Sequence, residues 1–430
     1  MNEADSRRLA SALEQLGCVP AESIEDAGVI VINTCVVRQS AEDKACGRLS
    51  SLKPLKEARP ETILGLMGCM VGVRDPAPLR RRFPWVDVFM PPSDPTPLLA
   101  LLTERGMQDQ AQAQEAAEVA HRYRLQDGDL ILPAGDRERL VSGYVPVVLG
   151  CSHACTYCVI PYRRGAERSR SQEEILAEAR ALAVQGVREI TLLGQIVDRY
   201  GLDLPDKPTL AGLLRHIHEI EGLERIRFLT SHPRWMTDDL LEAVAELPRV
   251  CEHIEVPVQA GDDPVLARMR RGYTVDDYRR LIARIRERIP GVSIATDIIV
   301  GFPGETDDQF RQTYDLLAEL RLDKAHIARY SPRPQTVAAR KMVDDVPADE
   351  KERRRKALDD LQAGIVGEIN GRLLDQTVEV LVEGKKKGRW WGRTRTDKLV
   401  FFEHEQDWAG RVARVRVTWT GPWSLIGEIA

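Results

Sequence analysis

The sequence predicts an α/β protein in three parts: an N-terminal α/β domain, a central partial barrel of about six strand–helix units, and a small C-terminal β-barrel. Strand-like and helix-like segments alternate through the first two parts, and an Ala/Gln-rich run separates them. After Gly371 the pattern changes to short alternating strands. Such alternations indicate parallel sheets first and a small all-β domain last. The predicted boundaries are 1–105, a linker at 106–135, 136–370 and 371–430.

The composition is that of an ordinary soluble globular protein. The chain has 430 residues, 43% of them hydrophobic and 30% charged, with a net charge of −5. A polyanion would therefore have to bind local patches rather than the whole surface. The segment Met1–Arg8 is polar and unlike a signal peptide, and no uncharged run reaches the roughly 18 residues of a membrane span. We expect a cytoplasmic protein.

In the N-terminal domain, two cysteines directly follow apolar strand-like runs. Cys35 comes after one run and Cys69 after the next. Because neighbouring parallel strands end at one edge of a sheet, these positions suit a metal site. The predicted elements are helices at 6–16 and 40–55 and strands at 29–33, 62–67 and 86–90.

In the central part, the strand–helix pattern repeats about six times. One helix opens at Ser171 with Glu174 three residues later, a capping box. Six such units indicate a partial parallel barrel. The predicted strands are 144–149, 189–193, 226–229, 253–258, 293–300 and 324–330.

The first of these strands leads into a loop with three cysteines, Cys151, Cys155 and Cys158. Each thiolate suits one iron of a cubane, and because such clusters usually take four cysteines, one iron stays open to a small molecule. Three alternatives remain. A zinc ion recruiting His153 would lack the usual second ligand pair, a disulfide is disfavoured with eight cysteines and no secretory signal, and the thiols could be buried and inert.

Polar residues and glycines recur where the later strands end. Active sites of parallel barrels lie at the carboxyl ends of the strands. Each residue taken alone could instead cap a helix or satisfy the backbone, but recurrence at successive strands favours a ligand site. The residues are Gln195, Ser231, Gln259, Asp297 and Gly301.

The C-terminal part combines basic residues with tryptophans. From Gly371 to Ala430 there are 11 Lys/Arg against 8 Asp/Glu, a net charge of +3. Positive charge beside aromatic rings is typical of RNA-binding surfaces, although we expect one of Trp390 and Trp391 to pack inside. Two further basic segments, Arg163–Arg170 and the helix from Lys351, are better read as solvated faces than as RNA sites. The candidate RNA contacts are Lys385, Lys386, Lys387, Arg389, Trp390 and Arg393.

The cysteine loop and the sequence after it resemble a known family. Tyr157 precedes the last cysteine, and Ile160-Pro161-Tyr162 and Glu167-Arg168-Ser169-Arg170 follow. Together these motifs resemble the radical S-adenosylmethionine (SAM) enzymes, and more narrowly the methylthiotransferases that act on tRNA. The motifs ending at Cys35 and around Cys69 fit the same family, and the tail 374–394 resembles the TRAM module, a small tRNA-binding β-barrel.

The resemblance implies SAM and two [4Fe-4S] clusters. Cys151, Cys155 and Cys158 would hold the cluster whose open iron binds SAM. Cys35, Cys69 and a third cysteine would hold the second. In the family that third cysteine lies just before a segment like Met1–Ser6. Either the start codon was assigned too late, which we expect, or the protein lacks one cluster ligand and one edge of its sheet. Cys18 and Cys46 are not expected to replace it, because both suit packing positions.

The resemblance also implies roles at the strand ends. Gln195, Ser231, Gln259 and Asp297 would hold SAM or the target base, and Gly301 would let the backbone approach the adenine. One departure is Ile196, where the family commonly has Asn.

The implied activity is conversion of N(6)-dimethylallyladenosine at position 37 of tRNA to its 2-methylthio form. SAM would be both the radical source and the methyl donor, and the partners would include tRNA, an electron donor and a sulfur source, with the protein a monomer. One alternative is a methylthiotransferase acting on threonylcarbamoyl-adenosine or on a ribosomal-protein aspartate. Another is a non-catalytic RNA-binding protein with a structural metal.

Overall fold

The computed structural model describes residues 1–37, 39–105 and 131–430. It confirms the predicted fold class, with an N-terminal α/β domain, a central partial barrel and a closed C-terminal β-barrel. Most of the predicted linker, 106–130, lies outside the described residues, and the exact domain boundaries stay predictions. Among the described helices, none combines the length and the apolar composition needed to cross a membrane.

The N-terminal domain is a three-stranded parallel sheet, in the order β1-β2-β3, with helices around it. The register pairs Thr34 with Gly68, so the two strands end side by side. The helix predicted at 40–55 is two helices, because the chain turns at Leu52 and Pro54 stands in the first turn of the second. The elements are α1 Asn2–Gln15, β1 Val29–Thr34, α2 Gln39–Ser51, α3 Lys53–Ala58, β2 Ile63–Gly68, α4 Ala77–Arg82, β3 Val88–Met90 and α5 Thr96–Glu104.

The central domain repeats strand and helix, as predicted. The capping box at Ser171 and Glu174 is present. The elements are β4 Ser142–Pro146, β5 Val148–Leu149, α6 Ile160–Arg164, β6 Arg168–Ser169, α7 Gln172–Val184, β7 Glu189–Leu193, a 3-10 turn Val197–Arg199, α8 Leu210–His218, β8 Arg225–Leu229, α9 Asp238–Glu246, β9 His253–Glu255, α10 Asp263–Met269, α11 Val275–Arg288, β10 Ser293–Val300, α12 Asp307–Leu320, β11 Lys324–Arg329, α13 Val337–Lys341 and α14 Ala348–Gly371.

Six parallel strands form the partial barrel. The sheets β4-β7-β8 and β9-β10-β11 are each parallel throughout. They are joined by a bridge between Ile226 and Val250 and by the Ser231 N–H, which donates to the Glu255 carbonyl at 3.1 Å. Strand β7 is buried along its whole length, as expected for strands covered on both faces. The strand predicted at 144–149 is broken at Val147, and β5 pairs instead with β6.

The C-terminal barrel closes in the order β12-β13-β14-β16-β15 around a core that includes Val380, Phe402 and Val415. It sits on the amino ends of the central strands. Arg225, at the start of β8, donates to the Arg393 carbonyl at 2.6 Å, and Arg395 donates to the Val250 carbonyl at 2.7 Å. The strands are β12 Thr377–Lys386, β13 Arg389–Thr394, β14 Leu399–Phe402, β15 Val412–Thr420 and β16 Leu425–Ile429.

Candidate metal centre and active site

The cysteine loop begins at a turn that requires glycine. Gly150 has φ +67°, and a Cβ built on it would lie 2.1 Å from the Ala166 carbonyl oxygen. A side chain at this position would therefore clash with backbone, besides adopting an unfavourable conformation. The turn places Cys151 directly after β5, at the carboxyl edge of the barrel.

Thr156 anchors the middle of the loop to the end of α10. Its N–H donates to the Met269 carbonyl at 3.1 Å, and its hydroxyl donates to the Arg268 carbonyl at 2.8 Å. Its own carbonyl accepts from the Ala338 N–H at 2.8 Å. Three bonds from one residue to two neighbouring elements fix the conformation of the loop.

The three thiols of the loop differ in acidity. Burial raises the pKa of Cys151 to about 11 and that of Cys158 to about 12. Burial would also raise the pKa of Cys155, but His153 and Arg271 outweigh it and bring that pKa down to about 7. The Arg271 Nη1 donates to the Cys155 Sγ at 3.2 Å. Cys155 is thus the thiol most ready to bind metal as a thiolate.

Several buried polar atoms around the loop have no hydrogen-bond partner within the part of the chain that the structure describes. They are the Ser231 hydroxyl, the Trp235 Nε1, and the Nε2 atoms of His153 and His232. The His153 and His232 rings lie 4.7 Å apart, and Trp235 packs with Cys151 and Cys158. Buried polar groups are normally paired, so these atoms fit a polar ligand such as SAM, which offers amino, carboxylate and hydroxyl groups.

The backbone at the same edge adopts unusual conformations. Thr230, after β8, has φ 69°, and Gln259, after β9, has φ 75°. Neither is a glycine, and a β-branched residue in this region is rare. Strained residues of this kind concentrate at functional sites. Thr230 directly precedes Ser231, and both strained residues support a ligand site at this edge.

The predicted strand-end residues share this edge, with different surroundings. Ser231 and Gln259 are buried, and the Gln259 N–H donates to the Asp297 carbonyl at 2.8 Å. Gln195 is partly buried after β7. A Cβ on Gly301 would lie 2.3 Å from Lys351 Cγ, so the glycine makes room for the lysine stem. The approach of its backbone to an adenine stays a prediction.

Ile196, the departure from the family pattern, packs against Cys151 and Ile160. An apolar side chain at this position extends the dry surroundings of the cysteine loop.

Two carboxyl groups at this edge have raised pKa values. Burial raises the pKa of Asp198 to about 7, although the carboxylate accepts the His232 N–H at 2.9 Å. Burial, and then the charge of Asp297, raise the pKa of Glu255 to about 7. Such shifts cluster at functional sites.

Cys35 and Cys69 come together at the ends of β1 and β2. The Cys69 N–H donates to the Thr34 carbonyl at 3.0 Å, and the negative charge of Cys35 is among the influences that raise the pKa of Cys69, after burial. Arg164 Nε donates to the Cys69 Sγ at 3.2 Å. Arg164 follows the cysteine loop in sequence, so it links the two cysteine sites.

No third cysteine joins this pair among the described residues. Cys46 packs against the apolar cluster of α2, and burial raises the pKa of both Cys18 and Cys46. In the same residues, no group of three His, Cys, Asp or Glu is placed to hold one metal ion. A cubane does not require such convergence, since each thiolate binds a different iron.

The candidate RNA contacts divide into two groups. Lys385, Lys386, Lys387 and Arg389 are exposed. Trp390 is only 6% exposed and its Nε1 donates to the His404 carbonyl, so the prediction that it stacks on bases is wrong. Trp391 is the more exposed of the pair.

Arg393 also departs from the prediction. Its guanidinium pairs with Asp397 at 3.0 Å, and its carbonyl accepts from Arg225. It therefore belongs to the contact between the two barrels.

Several arginines of the two basic segments form buried ion pairs within the protein, so the prediction that both segments are solvated faces is wrong in part. Arg170 is buried and pairs with Glu178, which also pairs with Arg8 of the N-terminal helix. Arg354 is buried and pairs with Glu305. Glu178 follows Arg170 by only 8 residues, whereas Glu305 lies 49 residues before Arg354.

Sequence reasoning missed three residues at the cysteine sites: Arg271, Arg164 and His232. Arg164 stood in a recognised motif and His232 next to a candidate, Ser231. For Arg271 the available signal was the pair Arg270-Arg271 before Gly272, at a helix end.

Comparison with known proteins covers the whole chain. Residues 1–91 match the family UPF0004, residues 145–317 match the Radical SAM superfamily, and residues 372–430 match the TRAM domain. A solved structure of the cobalamin-dependent SAM radical enzyme OxsB has a TM-score of 0.50 at 12% identity, covering 83% of this chain and 53% of that one. This likeness shows the fold alone.

Curated relatives are much closer in sequence. A tRNA-2-methylthio-N(6)-dimethylallyladenosine synthase of Roseiflexus sp. (strain RS-1) is 51% identical over 100% of this chain and 87% of its own length. The protein of that name from Herpetosiphon aurantiacus is 48% identical, over 100% and 95%. The chain therefore belongs to the family of tRNA-2-methylthio-N(6)-dimethylallyladenosine synthases, within the radical SAM superfamily, as the sequence predicts.

Proposed function

We propose that this enzyme converts N(6)-dimethylallyladenosine at position 37 of tRNA to 2-methylthio-N(6)-dimethylallyladenosine. The observation that carries the proposal is the identity of about half of all residues, over the full chain, with relatives named for this reaction. The cofactors of the family are SAM and a [4Fe-4S] cluster, and tRNA is the substrate.

The reaction explains why such cofactors are needed. The carbon to be modified bears an aromatic C–H bond with no acidic proton and no leaving group, so acid–base or nucleophilic side chains do not suffice. When bound at Cys151, Cys155 and Cys158, the cluster would supply the electron that cleaves SAM to a radical able to break that bond. The chain's own residues then position the reactants and exclude water from the site.

Specific side chains fit these two tasks. The Ser231 hydroxyl and the Trp235 Nε1–H are buried and have no hydrogen-bond partner in residues 1–37, 39–105 and 131–430, so they are available to hold polar groups of SAM. The Arg234 N–H donates to His232 Nδ1 at 3.2 Å, which leaves the proton of a neutral imidazole on Nε2. Burial, and then the charge of Arg271, lower the pKa of His232 to about 2, so the ring stays neutral at working pH. Ile160 and Ile196 help to exclude water. Gln195, Gln259 and Asp297 are proposed to complete the site around SAM and the base.

A second [4Fe-4S] cluster is proposed at Cys35 and Cys69, with a third ligand that the described residues do not supply. Its task would be to present sulfur to the activated carbon, with a second SAM as the methyl donor.

The tRNA is proposed to contact the exposed basic turn Lys385–Arg389 and Trp391. An electron donor and a sulfur source complete the reaction. Because its substrate is tRNA, we place the enzyme in the cytoplasm. We expect the purified protein to elute as a monomer in gel filtration.

Two experiments test the proposal. The first is mass spectrometry of tRNA nucleosides from a strain lacking the gene and from the complemented strain. We expect the 2-methylthio nucleoside to disappear and return. Its persistence in the deletion strain would exclude this substrate, and loss of the threonylcarbamoyl derivative instead would favour the other branch.

The second experiment is anaerobic reconstitution with iron, sulfide, SAM and a reductant. We expect about four irons per occupied site and 5′-deoxyadenosine as a product. One zinc, no iron and no SAM cleavage would instead identify an RNA-binding protein with a structural metal.

A further inference from the structure

Arg271 is a buried cation next to the cysteine loop, and among the described residues none of its hydrogen-bond partners is a carboxylate, although its charge acts on Asp198. Its residue is 5% exposed. Nη1 donates to the Cys155 Sγ at 3.2 Å, Nη2 to the Pro257 carbonyl at 3.3 Å, and Nε to the Tyr273 hydroxyl at 3.0 Å. A buried charge is costly unless an opposite charge compensates it. Of these three hydrogen-bond partners, the Cys155 sulfur is the one that becomes anionic on binding metal.

The end of α10 explains why Arg271 points inward. Arg270 has φ 57°, its N–H donates to the Ala267 carbonyl at 3.0 Å, and the Arg271 N–H donates to the Leu266 carbonyl at 3.0 Å. This is a Schellman turn. It leaves Arg270 exposed and Arg271 buried. Because Thr156 bonds to the same helix end, one element holds both the loop and the guanidinium.

The guanidinium is also held from its far side. Its Cζ lies 5.4 Å from the centroid of the Tyr273 ring, and the Tyr273 hydroxyl donates to the Val258 carbonyl at 2.8 Å. The charge is thus fixed relative to Cys155 before any cofactor binds, and no reorganisation is required when the anion arrives.

We propose that Arg271 is a positioning residue that compensates the charge of the metal cluster at Cys155 and makes that cluster easier to reduce. The inference rests on the proposed function, because it requires a [4Fe-4S] cluster on this loop. Uptake of one electron from the donor adds one negative charge near the guanidinium, and no bond forms or breaks. A fixed positive charge and an N–H···S bond stabilise the more negative state.

The test uses the full-length protein with three substitutions. Arg271→Gln removes the positive charge, and Arg271→Lys keeps the charge but lacks the planar guanidinium group. Arg270→Gln, at the exposed neighbouring residue, is the matched control. Each protein is reconstituted without oxygen, iron and sulfide are counted, folding is checked by circular dichroism, and the midpoint potential is measured by an EPR-monitored titration without SAM. We expect a more negative potential for R271Q, a smaller shift for R271K, and no change for R270Q.

Other outcomes are also decisive. If R271Q loses the cluster while R271K keeps it, the charge is required and the proposal stands. If both lose it equally, or if R271Q holds a full cluster at the wild-type potential, the proposal is overturned. If the wild-type protein binds no cluster at this loop, the proposed function itself fails. A cluster that is present but keeps its potential in R271Q overturns only the role of Arg271.

Discussion

The two cysteine sites are built in different ways. The central site takes its three cysteines from one loop of eight residues, 151–158, which Thr156 ties to the end of α10. The N-terminal site takes Cys35 and Cys69 from separate strand ends, so their approach depends on the register of β1 and β2. The local conformation of one loop therefore brings the central cysteines together. The N-terminal cysteines come together only when the whole sheet has formed.

Their charge balance differs as well. Each site has an arginine that donates to a cysteine sulfur at 3.2 Å, Arg271 at the central site and Arg164 at the N-terminal site. Arg164 also lies 3.6 Å from the buried Asp5 carboxylate and donates to the Asn2 side chain at 2.7 Å. Arg271 forms no ion pair with a carboxylate among the described residues, although its charge acts on Asp198. The central site is thus prepared for an added anion, whereas the N-terminal arginine is already compensated.

The largest expected effect separates the chemical tasks of the two sites. Cys155→Ala should reduce formation of 5′-deoxyadenosine to background, because the cluster loses a ligand. Cys69→Ala should retain SAM cleavage but form no 2-methylthio product. Both products are measured by mass spectrometry after anaerobic turnover, and Cys18→Ala is the control. Loss of SAM cleavage in a folded Cys69→Ala protein would show that the sites are not independent in this way.

The next largest effect concerns Arg164, the arginine that is paired with a carboxylate. Arg164→Gln should destabilise the protein by about 2–4 kcal/mol, since it leaves the Asp5 carboxylate buried beside a neutral group. Adding Asp5→Asn should restore part of this loss, which denaturant unfolding of the iron-free proteins would measure. Strictly additive effects of the two substitutions would mean that the 3.6 Å pair contributes no coupling.

Thr156, which anchors the cysteine loop, should contribute somewhat less to the free energy of unfolding. Thr156→Val removes the hydroxyl that donates to the Arg268 carbonyl, so we expect a loss of about 1–3 kcal/mol in the free energy of unfolding. The control, Thr418→Val on the exposed face of β15, should change it by no more than about 0.5 kcal/mol. Equal effects in the two variants would mean that the loop is held by its backbone bonds alone.

The comparison also explains which parts of the site the sequence could predict. The three loop cysteines stand in a short motif, and the strand ends follow from the strand–helix periodicity, so both were predictable. Arg271 was not, because its direction depends on the left-handed residue Arg270. The basic segments were misread in part because a partner such as Glu305, 49 residues before Arg354, meets its arginine only in the folded chain.

The choice between the two tryptophans had a different difficulty. Alternation along a strand shows that Trp390 and Trp391 face opposite sides, but it does not show which side is the core. The β-barrel closure decides this, and it places Trp390 inside with Phe402 and Val400.

The smallest expected effect is a change in the pH dependence of stability. It tests whether the carboxyl edge of the central barrel tolerates Glu255 as a buried anion. The pKa of Glu255 is about 7 in the folded protein, raised from 4.5 by burial and then by Asp297. The folded state therefore keeps a proton that the unfolded state releases, and stability falls as the pH rises from about 5 to about 8. Glu255→Gln should remove this loss, which we put at about 1–2 kcal/mol after allowance for solvent screening. Thermal unfolding of the iron-free protein at several pH values would measure it, with the exposed Glu246→Gln as control. If E255Q and the wild-type protein show the same pH dependence, then Glu255 does not hold a proton in the folded state and its carboxylate is already compensated.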